Sequence, residues 1–399
     1  MKTQVSTPDT VASFTCTMND CEDNCCRNGS WKIIIDPPTY EKYLNMENEF
    51  KETLLSRIEK TPKGILQFKE YDHGQCPLLT DDGFCSIHRN LGPSYLCITC
   101  ATYPRNWAFY NGKADYWVSL SCPVVVRDAL YQNKKIRLMN IVAEQTTKIP
   151  LNKPREADEY RMREMLYSII DHNKFSLMDK IIYKSLFMRA VEKLPKDDSF
   201  AFNINTTINA YKANLYVDGL LDELKEGLSQ IDMDGRKISL QIIARLAATA
   251  ISKTKSIPQD MINAPYYKLM EQFGADCASG DVDSYLVDAF DRLVIPYVNA
   301  NPLVFDNYFI YILHSTQFAK GAESYSNCYS GYIGEFVAML VFAAGLFHEK
   351  EQLTDEEMIV AIYMYHRKVS HSPQYRGLLA KHFEDNNLGF LFGMCEGIK

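Results

Sequence analysis

The chain has 399 residues, of which 46% are hydrophobic and 23% are charged, a balance typical of a globular protein with at least one large core. Its formal net charge of −7 argues against general binding to nucleic acid, because neutralising phosphates requires a concentrated basic face. We therefore expect no nucleic-acid partner.

The N-terminal third is loop-rich. Glycine and proline interrupt its short apolar pieces as far as Val126. One short strand is predicted at residues 31–36, and a helix is predicted to start at Pro38. Such a region has too little regular structure to be stable easily by itself, and a bound metal would supply the missing stabilisation.

Beyond Pro154 the apolar residues recur with helical spacing. Thr354 followed by Glu357 predicts a capping box at one helix start. No strand–helix alternation is visible, which argues against a doubly wound sheet. The predicted helices cover residues 159–171, 177–194, 209–228, 238–253, 285–297, 305–318, 333–348 and 354–370.

These patterns predict a mainly α protein with two parts. Residues 1–130 form a loop-rich, metal-stabilised, cysteine-rich domain, and residues 155–399 form an all-α helical domain that is expected to bind a substrate or partner. The boundary is predicted near residues 130–155.

The apolar segments predict neither an export signal nor a membrane span. The N-terminus lacks the apolar stretch of a secretory signal. The most apolar uncharged run, residues 336–347, is shorter than the roughly 20 residues that cross a bilayer, so we interpret it as a buried helix. We expect a cytoplasmic protein; peripheral membrane association and oligomer formation stay open.

The cysteines are strongly clustered. A cysteine used only as a small buried apolar residue has no reason to cluster, and in a reducing compartment clustered cysteines are more often metal ligands than disulfides. Nine of the twelve fall within the first 122 residues and are the candidate metal ligands: Cys16, Cys21, Cys25, Cys26, Cys76, Cys85, Cys97, Cys100 and Cys122.

Their spacing points to a metal centre without identifying the metal. The pair Cys97 and Cys100 would let two thiolates of one turn bind the same centre. Sulfur-only ligation suits both zinc and iron–sulfur clusters. Four cysteines would complete one centre and eight would complete two; the sequence does not choose between these, or say which quartet forms.

Several motifs together resemble a known family, the flagellin lysine-N-methylases, which belong to a wider group with a cysteine-rich, zinc- or iron-chelating domain. All nine cysteines fall on the family's pattern in order. The motifs are Phe14-x-Cys16-x4-Cys21-Glu22-Asp23-x-Cys25-Cys26, Cys76-Pro77-Leu78-Leu79-Thr80, Phe84-Cys85, Leu96-Cys97-x-Thr99-Cys100, Thr102-Tyr103-Pro104-Arg105, Leu120-Ser121-Cys122-Pro123-x3-Arg127, Phe305-Asp306-x-Tyr308 and Arg367-x2-Ser370-His371.

The resemblance implies an S-adenosylmethionine-dependent enzyme that methylates the ε-amino groups of lysines on flagellin. It also implies a 4Fe-4S cluster held by the cysteine-rich region. The chain departs from the family pattern at Ala101 and Asn106, where Arg and His are expected, and at Ser370, where an acidic residue is usual.

Donor binding is predicted only in outline. No glycine-rich loop follows a predicted strand, so a Rossmann-type donor site is not expected. Lysine attacks only as the neutral amine, so the site must lower its pKa or place a base beside it. Tyr103, Arg105 and Arg127 are the candidate cofactor-binding residues, the arginines because a guanidinium binds a donor carboxylate well. No catalytic residue is predicted.

The alternative interpretation is a non-catalytic scaffold protein that binds zinc or an iron–sulfur cluster and holds the helical part for partners. Binding of S-adenosylmethionine discriminates the two, since a scaffold should bind none. A thiol redox enzyme that uses Cys97 and Cys100 is disfavoured, because the βαβ context of that motif is missing.

Overall fold

The computed structural model describes residues 2–27, 33–69, 75–110, 113–144, 157–217, 219, 221–222, 233–251, 264–315, 324–370, 373–384 and 397–398. Helices predominate among these residues, which confirms the mainly α fold class.

A four-stranded sheet forms near the N-terminus. Strand β1 (Lys2–Pro8) lies between two strands that come much later in the chain, and the strand order is β4-β5-β1-β6. β1 is parallel to β5 and antiparallel to β6, and β4 and β5 form an antiparallel pair. The later strands are β4 (Arg105–Tyr110), β5 (Lys113–Val118) and β6 (Leu138–Glu144). No sequence pattern predicts this sheet.

Short elements make up the rest of the cysteine-rich region. The helix predicted at Pro38 is confirmed as α1 (Pro37–Asn45), and Asp36 caps it by accepting the Thr39 N–H at 3.1 Å. The remaining elements are α2 (Phe50–Ser56), β2 (Ile58–Lys60), β3 (Leu66–Phe68), α3 (Ser86–Leu91), α4 (Ile98–Thr102) and, after the sheet's central strands, α5 (Pro123–Leu130).

The strand predicted at residues 31–36 is wrong for the described part of that segment; Trp31 and Lys32 lie outside the described residues. Ile34 makes only an isolated bridge to Gln67. Two backbone hydrogen bonds flank this bridge, from the Ile35 N–H to the Leu66 carbonyl at 2.9 Å and from the Phe68 N–H to the Ile33 carbonyl at 3.1 Å. The pairing goes no further towards the C-terminus, because Asp36 is the N-cap of α1.

The second half is a helical assembly, and the capping box of Thr354 and Glu357 is confirmed. Its helices are α6 (Ala157–Ile170), α7 (Leu177–Glu192), α8 (Phe200–Asn214), α9 (Met233–Ile251), α10 (Ala264–Ser279), α11 (Leu286–Ala289), α12 (Ile295–Ala300), α13 (Pro302–Ser315), α14 (Tyr325–Phe347), α15 (Asp355–Met364) and α16 (Pro373–Glu384). π-helical turns occupy Phe290–Val294 and Tyr365–Val369.

Most predicted helices overlap observed ones, with one clear error. The helix predicted at residues 209–228 instead begins at Phe200 and ends at Asn214, nine residues earlier at its start and fourteen at its end. Helices α10 and α16 were not predicted. Residues 223–232 lie outside the described residues.

The described residues form two hydrophobic cores. The small core consists of Ile35, Tyr43, Met46, Leu54, Phe68, Leu78, Ile87 and Cys97. The main core joins the sheet and α5 to the helices, from Val5 near the N-terminus to Ile398 near the C-terminus. Residues 1–130 therefore contribute to both cores, and the domain boundary near residues 130–155 stays a prediction.

The apolar run 336–347 lies in the centre of the main core, as part of α14. This helix is long and apolar enough to cross a membrane by length and composition, but 83% of its most apolar window is buried inside the protein. The packing around it is tight, because a Cβ added at Gly345 would collide with the Phe273 ring of α10. α14 is therefore the central core helix.

Candidate functional site

One cavity of about 390 Å³ is lined by all nine predicted cysteines. They come from four stretches of the chain, at residues 16–26, 76–85, 97–100 and 122. The structure thus brings every predicted metal ligand to one place; that they bind a metal stays a prediction.

A tight turn places Cys76 and Cys85 side by side. The Leu79 N–H donates to the Cys76 carbonyl at 2.8 Å, and Leu79 also forms a β-bridge with Cys85. The turn closes through Thr80, whose N–H donates to the Phe84 carbonyl at 2.8 Å. Burial raises the pKa of the Cys85 thiol.

Cys97 and Cys100 lie at the start of a helix. Cys97 is fully buried at the N-cap of α4, and Cys100 lies in the helix's first turn. The Cys100 thiol donates to Cys97, which lowers the pKa of Cys97 and raises that of Cys100. Asp36 accepts the Ile98 N–H at 2.9 Å, so the cap of α1 also positions this pair.

Two of the N-terminal cysteines, Cys25 and Cys26, lie on a short 3-10 turn (Cys25–Arg27). The Cys26 thiol donates to Cys25, which lowers the pKa of Cys25 to about 7, and the same bond raises the pKa of Cys26 well above its usual value. Cys26 also contacts Cys76, whose N–H donates to the Cys26 carbonyl at 2.8 Å. This contact joins the N-terminal cysteines to the tight turn.

A buried arginine from the helical half forms part of the cavity wall. Arg367 is 3% exposed and lies in the π-helical turn Tyr365–Val369. Its Nη1 lies 2.7 Å from Oδ1 of Asp23, and its Nε donates to the Ser121 carbonyl at 2.9 Å. Tyr267 of α10 completes the network by donating its hydroxyl to Asp23 Oδ2 at 2.9 Å.

These contacts connect the helices to two cysteine segments. Asp23 lies between Cys21 and Cys25, and Ser121 directly precedes Cys122. Burial raises the pKa of the Cys122 thiol to about 12, and the positive charge of Arg367 opposes this shift. In the sequence Arg367 stands out only as part of a motif, and no sequence signal links it to Asp23, 344 positions away.

The three candidate cofactor-binding residues have different surroundings. Tyr103 and Arg105 both line the cysteine cavity. The Tyr103 hydroxyl lies 3.0 Å from Ser121 Oγ, and burial raises its pKa. Arg105 lies over the Phe14 ring, 5.2 Å from its centre. Arg127 instead joins Glu22, at 2.7 Å, to Glu356. Donor binding by all three stays a prediction.

The donor set of this cavity suits a sulfur-ligated metal centre. Its candidate ligands are all thiols, which favour zinc and iron–sulfur clusters over hard cations. Within the described ranges, no group of three or more His, Cys, Asp or Glu side chains is arranged around a single-ion site. The thiols lie around the cavity wall.

Comparisons with known proteins point in one direction. The family model of the FliB lysine N-methylase C-terminal domain matches residues 163–395. Lysine-N-methylases of Salmonella choleraesuis (strain SC-B67) and Salmonella typhimurium (strain LT2) are each 21% identical over 401 aligned residues, which cover 96% of this chain and 96% of each relative.

A third relative is shorter. The flagellar biosynthetic protein FliU of Salmonella muenchen is 31% identical over 131 residues, which cover 30% of this chain and 73% of FliU. No solved structure matches the chain. The family match spans more than half of the chain and the lysine-N-methylases match nearly all of it, so this protein belongs to the FliB lysine N-methylase family, a family of lysine N-methyltransferases.

Proposed function

We propose that this protein transfers methyl groups from S-adenosylmethionine to lysine side chains of flagellin, and that it depends on a 4Fe-4S cluster bound in the cysteine cavity. Family membership supports the methyl transfer, and the name of FliU supports a flagellar context. The observation that carries the cofactor proposal is the convergence of nine thiols on one cavity.

The cysteine thiolates would hold the cluster. A cluster bound by three of them would supply an open iron, where the amino and carboxylate groups of the donor can bind. Burial favours the uncharged form of the thiols. At Cys25 this effect is opposed by the hydrogen bond from the Cys26 thiol and by the cation of Arg367, which both favour the thiolate. Cys25 is therefore a cysteine of this largely buried cavity whose surroundings favour the thiolate that a metal requires.

Arg105 and Tyr103 are the residues we propose for donor binding within this cavity. Both line it, and the Arg105 guanidinium can bind a carboxylate through two parallel N–H groups. Arg127 is already paired with Glu22 and Glu356, so a donor carboxylate would have to displace one of these partners. Arg105 is therefore the stronger candidate.

We place the reaction in the cytoplasm, where a reducing environment keeps thiols available for metal. Flagellin is the proposed protein partner, and the target lysines must enter the site as neutral amines in order to attack the methyl group.

The test is metal analysis followed by methyl transfer. Protein purified without oxygen is analysed for iron, sulfide and zinc, and then incubated with flagellin and isotope-labelled S-adenosylmethionine. We expect iron with matching sulfide, and labelled methyl groups on flagellin lysines by mass spectrometry. Cys277→Ser is the matched control, because Cys277 is buried in the main core away from the cavity lining.

Two results would contradict the proposal. Stoichiometric zinc without sulfide would leave a structural metal domain and favour the scaffold alternative. Cluster-loaded protein that transfers no methyl group to flagellin lysines would contradict the proposed activity.

A further inference from the structure

A second cavity, of about 800 Å³, shares no lining residue with the cysteine cavity among the described residues. Its lining comes mainly from three neighbouring strands of the four-stranded sheet, β1, β5 and β6, and from α6. Residues 135–137, directly before β6, line it as well. A cavity of this size can hold a small organic molecule, and the proposed function makes no use of it.

A buried ion pair connects the sheet to α6 at this cavity. Both partners line it: Arg163 of α6, whose side chain is 3% exposed, and Asp115 of β5, whose side chain is 0% exposed. Arg163 Nη1 donates to Asp115 Oδ2 at 2.7 Å, and Nη2 donates to Oδ1 at 3.5 Å. This contact fixes the guanidinium and neutralises the carboxylate.

The same guanidinium keeps one N–H without an acceptor. Arg163 Nε is buried and has no hydrogen-bond partner among the described residues. A buried charged donor is costly to leave unpaired, and such groups in folded proteins are normally satisfied by protein, water or a ligand. Because an arginine N–H can only donate, an oxyanion bound in the cavity would satisfy it.

Two exposed cations line the same cavity. Lys113 begins β5, and Arg137 directly precedes β6. Neither side chain forms an ion pair with a described residue. Unpaired cations at a cavity attract small anions, and a guanidinium binds a carboxylate or phosphate through two parallel N–H groups.

The carboxylates at the cavity offset only part of this charge. Asp115 is neutralised by its ion pair. Asp171 lies 3.7 Å from Lys135, which also lies 3.1 Å from Asp306. Glu164 is exposed and forms no ion pair within the described part of the chain. Among the described lining residues, one unpaired carboxylate therefore stands against two unpaired cations, and the net charge is positive.

We propose that this cavity binds a small organic anion through a carboxylate or phosphate group. Arg163 Nε is the buried donor to that group, and Lys113 and Arg137 supply the positive charge that attracts it. Tyr160 and Tyr167 of α6 also line the cavity and are partly exposed, so their rings can pack against the rest of the molecule. The site depends neither on a bound metal nor on the proposed methyl transfer.

The proposal is tested by isothermal titration calorimetry of the full-length protein, with inorganic phosphate and citrate as probes. The test variant is Lys113→Gln with Arg137→Gln, which changes two exposed positions and should fold like wild type. We expect saturable binding of at least one probe to wild type, and binding weaker by about tenfold or more in the variant. Binding of phosphate alone would identify a phosphate-bearing ligand, and binding of citrate alone would identify a carboxylate-bearing one.

Two controls locate the bound anion. Lys212→Gln with Lys237→Gln removes two exposed lysines of α8 and α9, outside the cavity lining, and should bind like wild type. Arg105→Gln changes a residue of the cysteine cavity and should also bind like wild type. The proposal is overturned by no saturable binding of either probe, by equal binding of wild type and the variant that lacks Lys113 and Arg137, or by loss of binding in Arg105→Gln.

The role of Arg163 needs a measurement at its own N–H. In protein labelled with ¹⁵N-arginine, the Nε–H resonance of Arg163 is identified by its absence from Arg163→Lys, which keeps a positive charge beside Asp115. Titration of wild type with the probe that binds should shift this resonance and slow exchange of its proton with water. A bound probe that leaves the resonance unchanged would overturn the role of Arg163 as the buried donor. The calorimetry tests the site itself even where Arg163→Lys does not fold.

Discussion

The small core and the main core of this protein are built in different ways. The small core has eight buried members, one of them a cysteine, held in place by short helices and a two-stranded ribbon. The main core surrounds a 23-residue helix and draws on residues from both ends of the chain. The main core buries many more apolar side chains than the small core, and the few side chains of the small core offset less of the chain entropy that folding removes. The small core is therefore the part of the protein that the proposed metal would stabilise most.

Metal removal should give the largest effect. After chelation of metal from anaerobically purified protein, we expect the backbone amides of residues 33–69 and 75–100 to lose nearly all of their protection from hydrogen exchange. Those of α14 should keep theirs, because no thiol of the cavity lies in that helix. Hydrogen exchange with mass spectrometry measures both regions in one sample. Equal protection of the two regions after chelation would contradict the comparison.

Arg367→Met tests the connection between the helical half and the cysteine segments. It leaves the carboxylate of Asp23 buried without its cation, so we expect a loss of about 3–5 kcal/mol in the free energy of unfolding. Chemical denaturation of the metal-loaded protein measures it. The matched control is Arg245→Met, which removes an ion pair with Asp283. The Arg245 side chain is 41% exposed and that of Asp283 is 39% exposed, so we expect the free energy of unfolding to fall by at most about 1 kcal/mol. Similar losses of unfolding free energy in both variants would contradict a stabilising role of the buried contact between Arg367 and Asp23.

Lys184→Met tests the pH dependence of the main core. Lys184 is fully buried; its Nζ lies 3.9 Å from the centre of the Phe309 ring and has no hydrogen-bond partner among the described residues. Burial lowers its pKa from 10.5 to about 7. Between these values the unfolded chain binds a proton that the folded chain does not, so stability rises with pH above 7 and is lost as pH falls towards 7.

We therefore expect wild-type stability to gain up to about 1.4 kcal/mol per pH unit from this lysine between pH 7 and 9. Lys184→Met should be more stable than wild type at pH 7, and its advantage should shrink as the pH rises. Denaturation curves at several pH values measure the difference. Lys196→Met, which removes a half-exposed amine, is the control and should keep the wild-type slope. Parallel curves for Lys184→Met and wild type would contradict the expectation.

Thr354→Ala should give the smallest effect. The Thr354 hydroxyl accepts the Glu357 N–H at 3.3 Å, and the backbone N–H of Thr354 donates to Glu357 Oε2 at 2.9 Å. Loss of the cap should cost about 1 kcal/mol. Thr206→Ala, on the exposed face of α8, should change stability by at most about 0.5 kcal/mol. Thermal unfolding of both variants measures the difference, and equal effects would show that the cap does not stabilise α15.

The sequence was most informative where the determining contacts are local. The capping box at Thr354 and the helix start at Pro38 depend on neighbours within a turn or two, and both are confirmed. The helical spacing of apolar residues located most helices of the second half, but it misplaced the helix predicted at residues 209–228. The four-stranded sheet was missed because its pairs are distant, such as Gln4 with Lys113. Short strands with remote partners carry little signal of their own.

For the candidate site, the residue types predict the chemistry: nine thiols in one region, and the family motifs around them. Which thiols are neighbours depends on folding, because the cavity joins stretches from residue 16 to residue 122. The pairing of Arg367 with Asp23 also depends on folding, since the two residues lie 344 positions apart and meet only when the cysteine segment packs against the helices. Residue type sets what a side chain can bind, whereas packing over long chain separations sets which side chains meet.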